Sequence, residues 1–319
     1  MPDPDVTVLM PVRNGARFLD SAIASILGQT LDNYELLICD DGSTDATPRL
    51  LAGHARRDAR IRVETLPRVG LVAALNHGMR QSRAAWVARM DADDVAWPDR
   101  LRLQMEAAVR YPDAAAIGGA WRVVDASERT RRVVRPPCEP DAIAVALLQH
   151  NCLAHPTMLL RRDAVLQKGG YRAAFQQAED YDLWLRLAEQ HPLHALRETL
   201  LDYREHAGQV TWAGLEQRIL SELGAKAAAR ARRAGLPDPT GDAARVDRAW
   251  LRTAGVTEQE IAAAMIAGAL GAAKDALAAG QGAAARAAVG LLRRQRRLHP
   301  RTRAHALLLQ ARSLLSQSR

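Results

Sequence analysis

Aromatic residues are scarce in this chain of 319 residues, at 4%, and none lies beyond Trp250. The C-terminal third therefore has no stacking platform for single-stranded nucleic acid, and no nucleic-acid partner is expected. Cysteine is nearly absent. Cys39, Cys138 and Cys152 are odd in number and widely spaced, which excludes a disulfide framework and a cysteine metal knuckle and points to a reduced, cytoplasmic setting. No basic leader opens the chain, because Asp3 and Asp5 stand ahead of an apolar run from Val6; no secretory signal is expected. The longest uncharged apolar run, Ile261 to Ala273, has 13 residues, too short for a bilayer span and suited to a buried helix. No G-x-G-x-x-G follows the first strand-like run, where Asn14-Gly15 is the nearest glycine turn. That disfavours a dehydrogenase.

What is present is a globular composition, 48% hydrophobic and 25% charged, with enough apolar surface for a sizeable core. At about 150 residues per domain, the length allows two domains or one large domain with an appendage. The net charge of +8 is unevenly spread: from Glu216 onward there are 18 basic and 8 acidic residues, and none is acidic after Asp275. A basic, helical tail of this kind suits an anionic lipid surface. Peripheral docking at the inner face of the cytoplasmic membrane through Arg293, Arg294, Arg296, Arg297, Arg301 and Arg303 is one expectation, and a solvated face or a dimerisation element would suit the same composition.

The first hundred residues alternate strand and helix patterns. Val6–Val12, Tyr34–Cys39, Ile61–Thr65 and Trp86–Met90 read as short buried strands. Helical spacing runs over 17–27, over a stretch containing Leu50 and Leu51 that Ser43 or Thr44 would cap, and over 71–81. Such alternation predicts an α/β fold, a mostly parallel sheet with helices on both faces. Further on, 180–190 reads as an amphipathic helix with Leu183, Trp184 and Leu187 inward, and from Leu215 the pattern is almost wholly helical. Gly235–Pro239 reads as a linker, and 256–319 as three helices broken near Gly280 and at Pro300. The division expected is 1–212 for the α/β domain and 213–319 for a basic helical region.

In parallel sheets ligands bind beyond the carboxyl ends of the strands. Two acidic clusters, Asp40/Asp41 and Asp91/Asp93/Asp94, fall at such ends. Asp91 and Asp93 are two apart, so in an extended segment both face one way and form a partial shell for Mg²⁺ or Mn²⁺. Spacing alone is equally served by a helix cap or a solvated turn. Glu179-Asp180 opens a helix, where a carboxylate can be a general base or simply favour the helix dipole. Arg204 can grip phosphate and a neutral His206 can ligate a metal.

The order of segments is more specific than any one of them. "VTVLMPVRNGARFLDSAIASILGQT", "YELLICDDGSTDAT", "ALNHGM", "WVARMDADD", "PDRL", "HPTMLLRR", "GGYR", "AEDYDLWLRLAE" and "YREH" together resemble the family 2 glycosyltransferases, inverting enzymes of the GT-A fold, over residues 5–212. The resemblance implies a nucleotide-sugar donor, most simply a UDP-sugar, a saccharide or lipid-linked acceptor, and a Mn²⁺ or Mg²⁺ cofactor. It places Pro11, Val12, Arg13 and Asn14 in the nucleotide-binding loop, with Asp41 toward the nucleobase and Asn76, Asp91, Ala92 and Arg204 also on the nucleotide-sugar side. It makes Asp93 the direct metal ligand, with Asp91 and His206 beside it, and Asp180 the catalytic base with neighbouring Glu179. Many members carry Arg before the Asn matched by Asn76; here Leu75 stands there. A nucleotidyltransferase, or a non-catalytic nucleotide-sugar binder acting as a scaffold, would share much of this acidic pattern. The product separates the first alternative, because it would release pyrophosphate rather than a nucleoside diphosphate.

Overall fold

The structure, a computed structural model, describes residues 3–206, 214–294 and 309. β1 (Val6–Val12) and β2 (Tyr34–Asp41) are buried at every position, as strands covered on both faces of a parallel sheet must be. β1 pairs in parallel with β2 and with β4 (Trp86–Arg89), and β2 with β3 (Ile61–Leu66). The crossovers are α1 (Leu19–Leu27), α2 (Thr47–Arg57) and α3 (Leu71–Gln81). Val6, Val8 and Met10 share one core cluster with Leu19, Ile23 and Ile26 of α1. Leu9, of opposite parity, meets α3, where a Cβ on Gly78 would clash with the Leu9 side chain. The period of two in the strand thus feeds two separate helix layers.

The expected cap of α2 is corrected. Ser43 and Thr44 do not cap it; Thr47 starts the helix and its N–H donates to Asp45 Oδ1 at 2.9 Å. The two hydroxyl residues are diverted to the loop after β1, as described below.

Beyond β4 the sheet changes character. β5 (Val95–Ala96), β6 (Ala116–Asp125), β7 (Thr130–Val134), β8 (Leu159–Arg161) and β9 (Leu193–Glu205) extend it to the order β3-β2-β1-β4-β8-β6-β9-β5, with β7 pairing β6. β8 runs antiparallel to β4 and β6, β7 to β6, and β5 to β9. The parallel part is therefore the first four strands. β6 and β7 are joined by a tight turn, closed by Asp125 N–H to Arg129 O at 3.0 Å, and a turn of that length permits only antiparallel pairing. α4 (Arg100–Arg110), α5 (Pro140–Leu147), α6 (Arg162–Gln167) and α7 (Glu179–Leu187) complete this region.

The chain divides into two compact units. One comprises Met1–Arg172 and Leu183–Arg204, and the other Ala173–Asp182 and Glu205–Arg319. The second unit contains α8 (Leu215–Arg233), α9 (Arg248–Thr253), α10 (Glu258–Ala278) and α11 (Gly282–Arg293). α10 opens on a reciprocal cap in which Thr257 and Glu260 satisfy each other's backbone N–H. It packs on α8 at Gly268, where a Cβ would lie 2.7 Å from Ile219 Cγ1. The segment 173–182 belongs with these helices: Ala174 O accepts from Val246 N at 2.9 Å, and Phe175 meets Trp250 edge-on at 6.3 Å between centroids.

α10 also corrects the reading of the 13-residue apolar run. Helix and run are not coextensive: α10 has 21 residues, and its most apolar 18-residue window has a mean hydropathy of 1.5, long and apolar enough by composition to cross a membrane. Only 33% of that window is buried, along the face that includes Ile261, Met265 and Ala269. Arg293 and Arg294 are exposed at the end of α11. The expected third helix beyond Pro300, and Arg296, Arg297, Arg301 and Arg303, lie outside the described residues.

Candidate active site

The carboxyl ends of β1, β2 and β4 lie side by side: Val12 is in register with Asp40, and Met90 N–H donates to Leu9 O at 3.0 Å as the chain leaves β4. Pro11 and Val12 are buried strand residues, whereas Arg13 and Asn14 are exposed in the loop that follows. Asn14 adopts a left-handed conformation, φ 52°, which asparagine tolerates better than most residues. Its N–H donates to Ser43 Oγ at 2.9 Å, and its Oδ1 accepts from Thr44 N at 2.8 Å. Gly15 N–H donates to Thr47 Oγ1 at 3.0 Å. A Cβ on Gly15 would lie 3.6 Å from Ala92 Cβ, so this loop also adjoins the acidic turn after β4.

Asp41 is buried and already engaged. Its carboxylate accepts from Val69 N at 2.6 Å and from Gly70 N at 3.0 Å, fixing the loop that leads into α3. Asn76 faces another way: its amide clasps the Tyr171 backbone, donating to the carbonyl and accepting from the N–H, each at 2.8 Å. Leu75 beside it is fully buried, so that position of α3 is a core position.

Residues 91–94 form a turn, not the extended segment that the spacing of Asp91 and Asp93 suggests. The turn brings in a third carboxylate. Oxygens of Asp91, Asp93 and Asp94 all lie within 4.8 Å of one another. Like charges this close repel strongly, and three buried guanidiniums surround them. Arg89 forms an ion pair with Asp91. Arg204, 2% exposed, donates from Nε to Asp93 O and from its backbone N–H to Asp94 Oδ1, each at 2.8 Å. Its guanidinium also meets Glu128 at 3.1 Å and lies 4.7 Å from the centre of the Phe18 ring. Arg100 is fully buried and donates to Arg89 O at 2.6 Å, to Gln104 Oε1 at 3.1 Å and to Met90 Sδ at 3.3 Å.

Burial, then repulsion by Asp93 and Asp91, drives the Asp94 carboxyl well above the usual range. Burial likewise raises Asp91, against the pull of Arg89. Burial and then the Arg89 charge lower Arg100 to about 9, which leaves it cationic at neutral pH. Asp94 Oδ2 is buried and accepts no hydrogen bond among the described residues. An orphaned carboxylate oxygen converging with two other carboxylates is the donor set of a hard divalent cation, so the residues present fit such an ion.

Glu179 and Asp180 open α7 in the second unit; Glu179 is buried and Asp180 partly exposed, with its Oδ1 accepting from Tyr181 N at 2.7 Å. His206 directly follows β9, partly exposed, and belongs to the same unit. Sequence reasoning passed over Arg89, Arg100 and Gln104, though "PDRL" contains Arg100. His155 is buried, its Nε2 is 2.8 Å from Tyr171 Oη, and its ring meets Trp184 edge-on at 5.7 Å. Burial and the Arg89 charge hold it well below the usual 6.5, hence neutral.

Residues 7–170 match the family described as glycosyl transferase family 2. The chain is 33% identical over 205 residues to the O-antigen biosynthesis glycosyltransferase WbnJ of Escherichia coli, covering 63% of this chain and 80% of that one. It is also 33% identical over 208 residues to the putative glycosyltransferase EpsE of Bacillus subtilis, covering 63% and 73%. Among solved structures, S. aureus TarS 1-349 in complex with UDP-GlcNAc superposes with a TM-score of 0.56 at 13% identity, over 98% of this chain and 91% of that one. The mannosyltransferase PcManGT of Pyrobaculum calidifontis, in complex with GDP-Man and Mn²⁺, gives 0.52 at 16% identity, over 99% and 86%. These structural likenesses establish the GT-A fold expected from the motifs. The family match over residues 7–170, which include the acidic turn, and the curated relatives lead to one conclusion: the chain belongs to glycosyltransferase family 2.

Proposed function

We propose that this glycosyltransferase moves a sugar, with inversion, from a nucleoside-diphosphate sugar to a hydroxyl of a saccharide or lipid-linked acceptor in polysaccharide or glycolipid synthesis. The observation that carries the reading is the convergence of Asp91, Asp93 and Asp94 at the end of β4, with the buried Asp94 Oδ2 left without a hydrogen bond among the described residues. The named role of the Escherichia coli relative in O-antigen biosynthesis supports the polymer class. The donor class draws support from the UDP-GlcNAc and GDP-Man complexes of the structural neighbours, and a UDP-sugar is our choice between the two bases.

Asp91, Asp93 and Asp94 would hold Mn²⁺ or Mg²⁺, with His206 as an added ligand. A bound divalent ion neutralises charge on a departing diphosphate. Asn14, Arg13 and the Asp41-anchored loop bind the nucleoside side of the donor. Asp180 accepts the proton of the acceptor hydroxyl, whose oxygen bonds to the anomeric carbon as the bond to the diphosphate oxygen breaks. Glu179 orients the acceptor, and Arg204 steadies the turn that faces the diphosphate. One displacement leaves the anomeric centre inverted and needs no protein nucleophile. Exposed Arg293 and Arg294 contribute to docking at the inner membrane face.

The test is a screen of nucleotide-sugars for release of nucleoside diphosphate. Asp180→Asn should lower kcat by about 10²–10⁴-fold, and Asp93→Ala should lose its response to added Mn²⁺. Wild-type turnover in both variants, or pyrophosphate as the product, would refute the reading.

A further inference from the structure

Arg100 is a fully buried guanidinium with no carboxylate in ion-pair contact among the described residues. A buried cation without a paired anion is expensive, so its hydrogen bonds and its surroundings must offset that cost. Nη2 donates to Arg89 O and Nη1 to Met90 Sδ, the two residues immediately before Asp91. Nε donates to Gln104 Oε1, and Gln104 Nε2 donates in turn to Ile117 O at 2.7 Å and Thr157 O at 2.9 Å. Arg100 and Gln104 therefore form a strut from β6 and the turn at 155–157 to the exit of β4. The charges of opposite sign that act on Arg100 are those of Asp94 and Asp91, across a medium that screens them poorly.

We propose that Arg100 is a positioning residue of the cation site: its buried charge, held behind the acidic turn by the Gln104 strut, keeps three clustered carboxylates together and ready for a divalent ion before any donor arrives. Arg89 and Arg204 touch the turn directly. Arg100 touches only the backbone and sulfur that lead into it, so it acts on the ion through its field and through the exit of β4. This inference rests on the cation reading of Asp91, Asp93 and Asp94 proposed above.

Mn²⁺ binding to the full-length, donor-free protein, followed by calorimetry and by the Mn²⁺ spin-resonance signal, tests it. Arg100→Met should weaken Mn²⁺ binding by about tenfold or more. Arg100→Lys, which keeps the charge in the same cavity, should recover most of that loss. In turnover assays the Mn²⁺ concentration for half-maximal rate should rise in Arg100→Met far more than kcat falls. A merely structural role would instead reduce the active fraction and leave the half-saturation point in place. Should Arg100→Met not fold, Gln104→Glu supplies the same neutralisation with Arg100 retained, by setting a carboxylate against its Nε. Wild-type Mn²⁺ affinity in a folded Arg100→Met or Gln104→Glu protein overturns the inference alone. Absence of Mn²⁺ binding in the wild type overturns it together with the cation reading.

Discussion

Asp94 holds one carboxylate oxygen on the Arg204 N–H and buries the other without a hydrogen bond among the described residues. Its folded pKa is raised, by burial first and by Asp93 and Asp91 next. The stability such a group contributes is present in acid, below the ordinary carboxylate range, and is lost as pH climbs through the raised value. Ionising this side chain therefore opposes folding of the metal-free protein. Asp94→Asn keeps the acceptor for Arg204 and removes the charge. It should raise the metal-free Tm at neutral pH by a few degrees, on the order of 1 kcal/mol, and shrink the Tm increase caused by added Mn²⁺. Thermal denaturation with and without Mn²⁺ reads both effects. His155 has the opposite sign. Its folded value lies below 6.5, through burial and then the Arg89 charge, so protonation favours the unfolded chain and stability falls as pH drops below 6.5. His155→Gln should narrow the difference in Tm between about pH 7.5 and about pH 5.5, a comparison that cancels the shared contributions of the carboxylates.

At the level of elements, close approach is set by glycines. Gly78 of α3 lies against Leu9 of β1, and Gly268 of α10 against Ile219 of α8. Gly78→Ala and Gly268→Leu should each destabilise by about 1–3 kcal/mol through overpacking, read from chemical denaturation midpoints. Gly78→Ala acts on the layer beneath the active-site loops and should also lower turnover. Gly268→Leu acts within the helical unit. The first four strands and three helices were legible because each carries a complete local period and a turn signal. β5, β8 and β9 were not legible as partners. β5 has two residues and β8 three, too short for a period to register, and β9 alternates burial irregularly over its 13 residues. What defines them is the antiparallel pairing itself, and register between distant segments leaves no mark in local spacing.

On the scale of the whole molecule the chain crosses between its two compact units more than once. Residues 173–182, which carry Glu179 and Asp180, cluster with the helices after Glu205 and are tied to them by Ala174–Val246 and Phe175–Trp250. A chain ending at residue 212 would lose Val246 and Trp250 and leave Phe175, which is fully buried, uncovered. It should melt at a lower temperature and lose most transferase activity, whereas Trp250→Ala should show a milder form of both changes. Nucleoside diphosphate release and calorimetric melting of the two variants check this. A basic helical tail read from composition alone gives no hint that it carries part of the packing around the proposed base.

The sequence by itself determined the parallel α/β half, the family, and which acidic residues fall at strand ends, because all of these are encoded in short periods and in the order of local motifs. Tertiary structure decided the electrostatics of the site. Asp94 joins Asp91 and Asp93 only because residues 91–94 turn instead of extending. Arg204 reaches Asp93 across 111 positions and Gln104 reaches Thr157 across 53. Whether a carboxylate beside them is solvated or buried, paired or orphaned, is a property of what the fold brings around it, and no spacing along the chain records that.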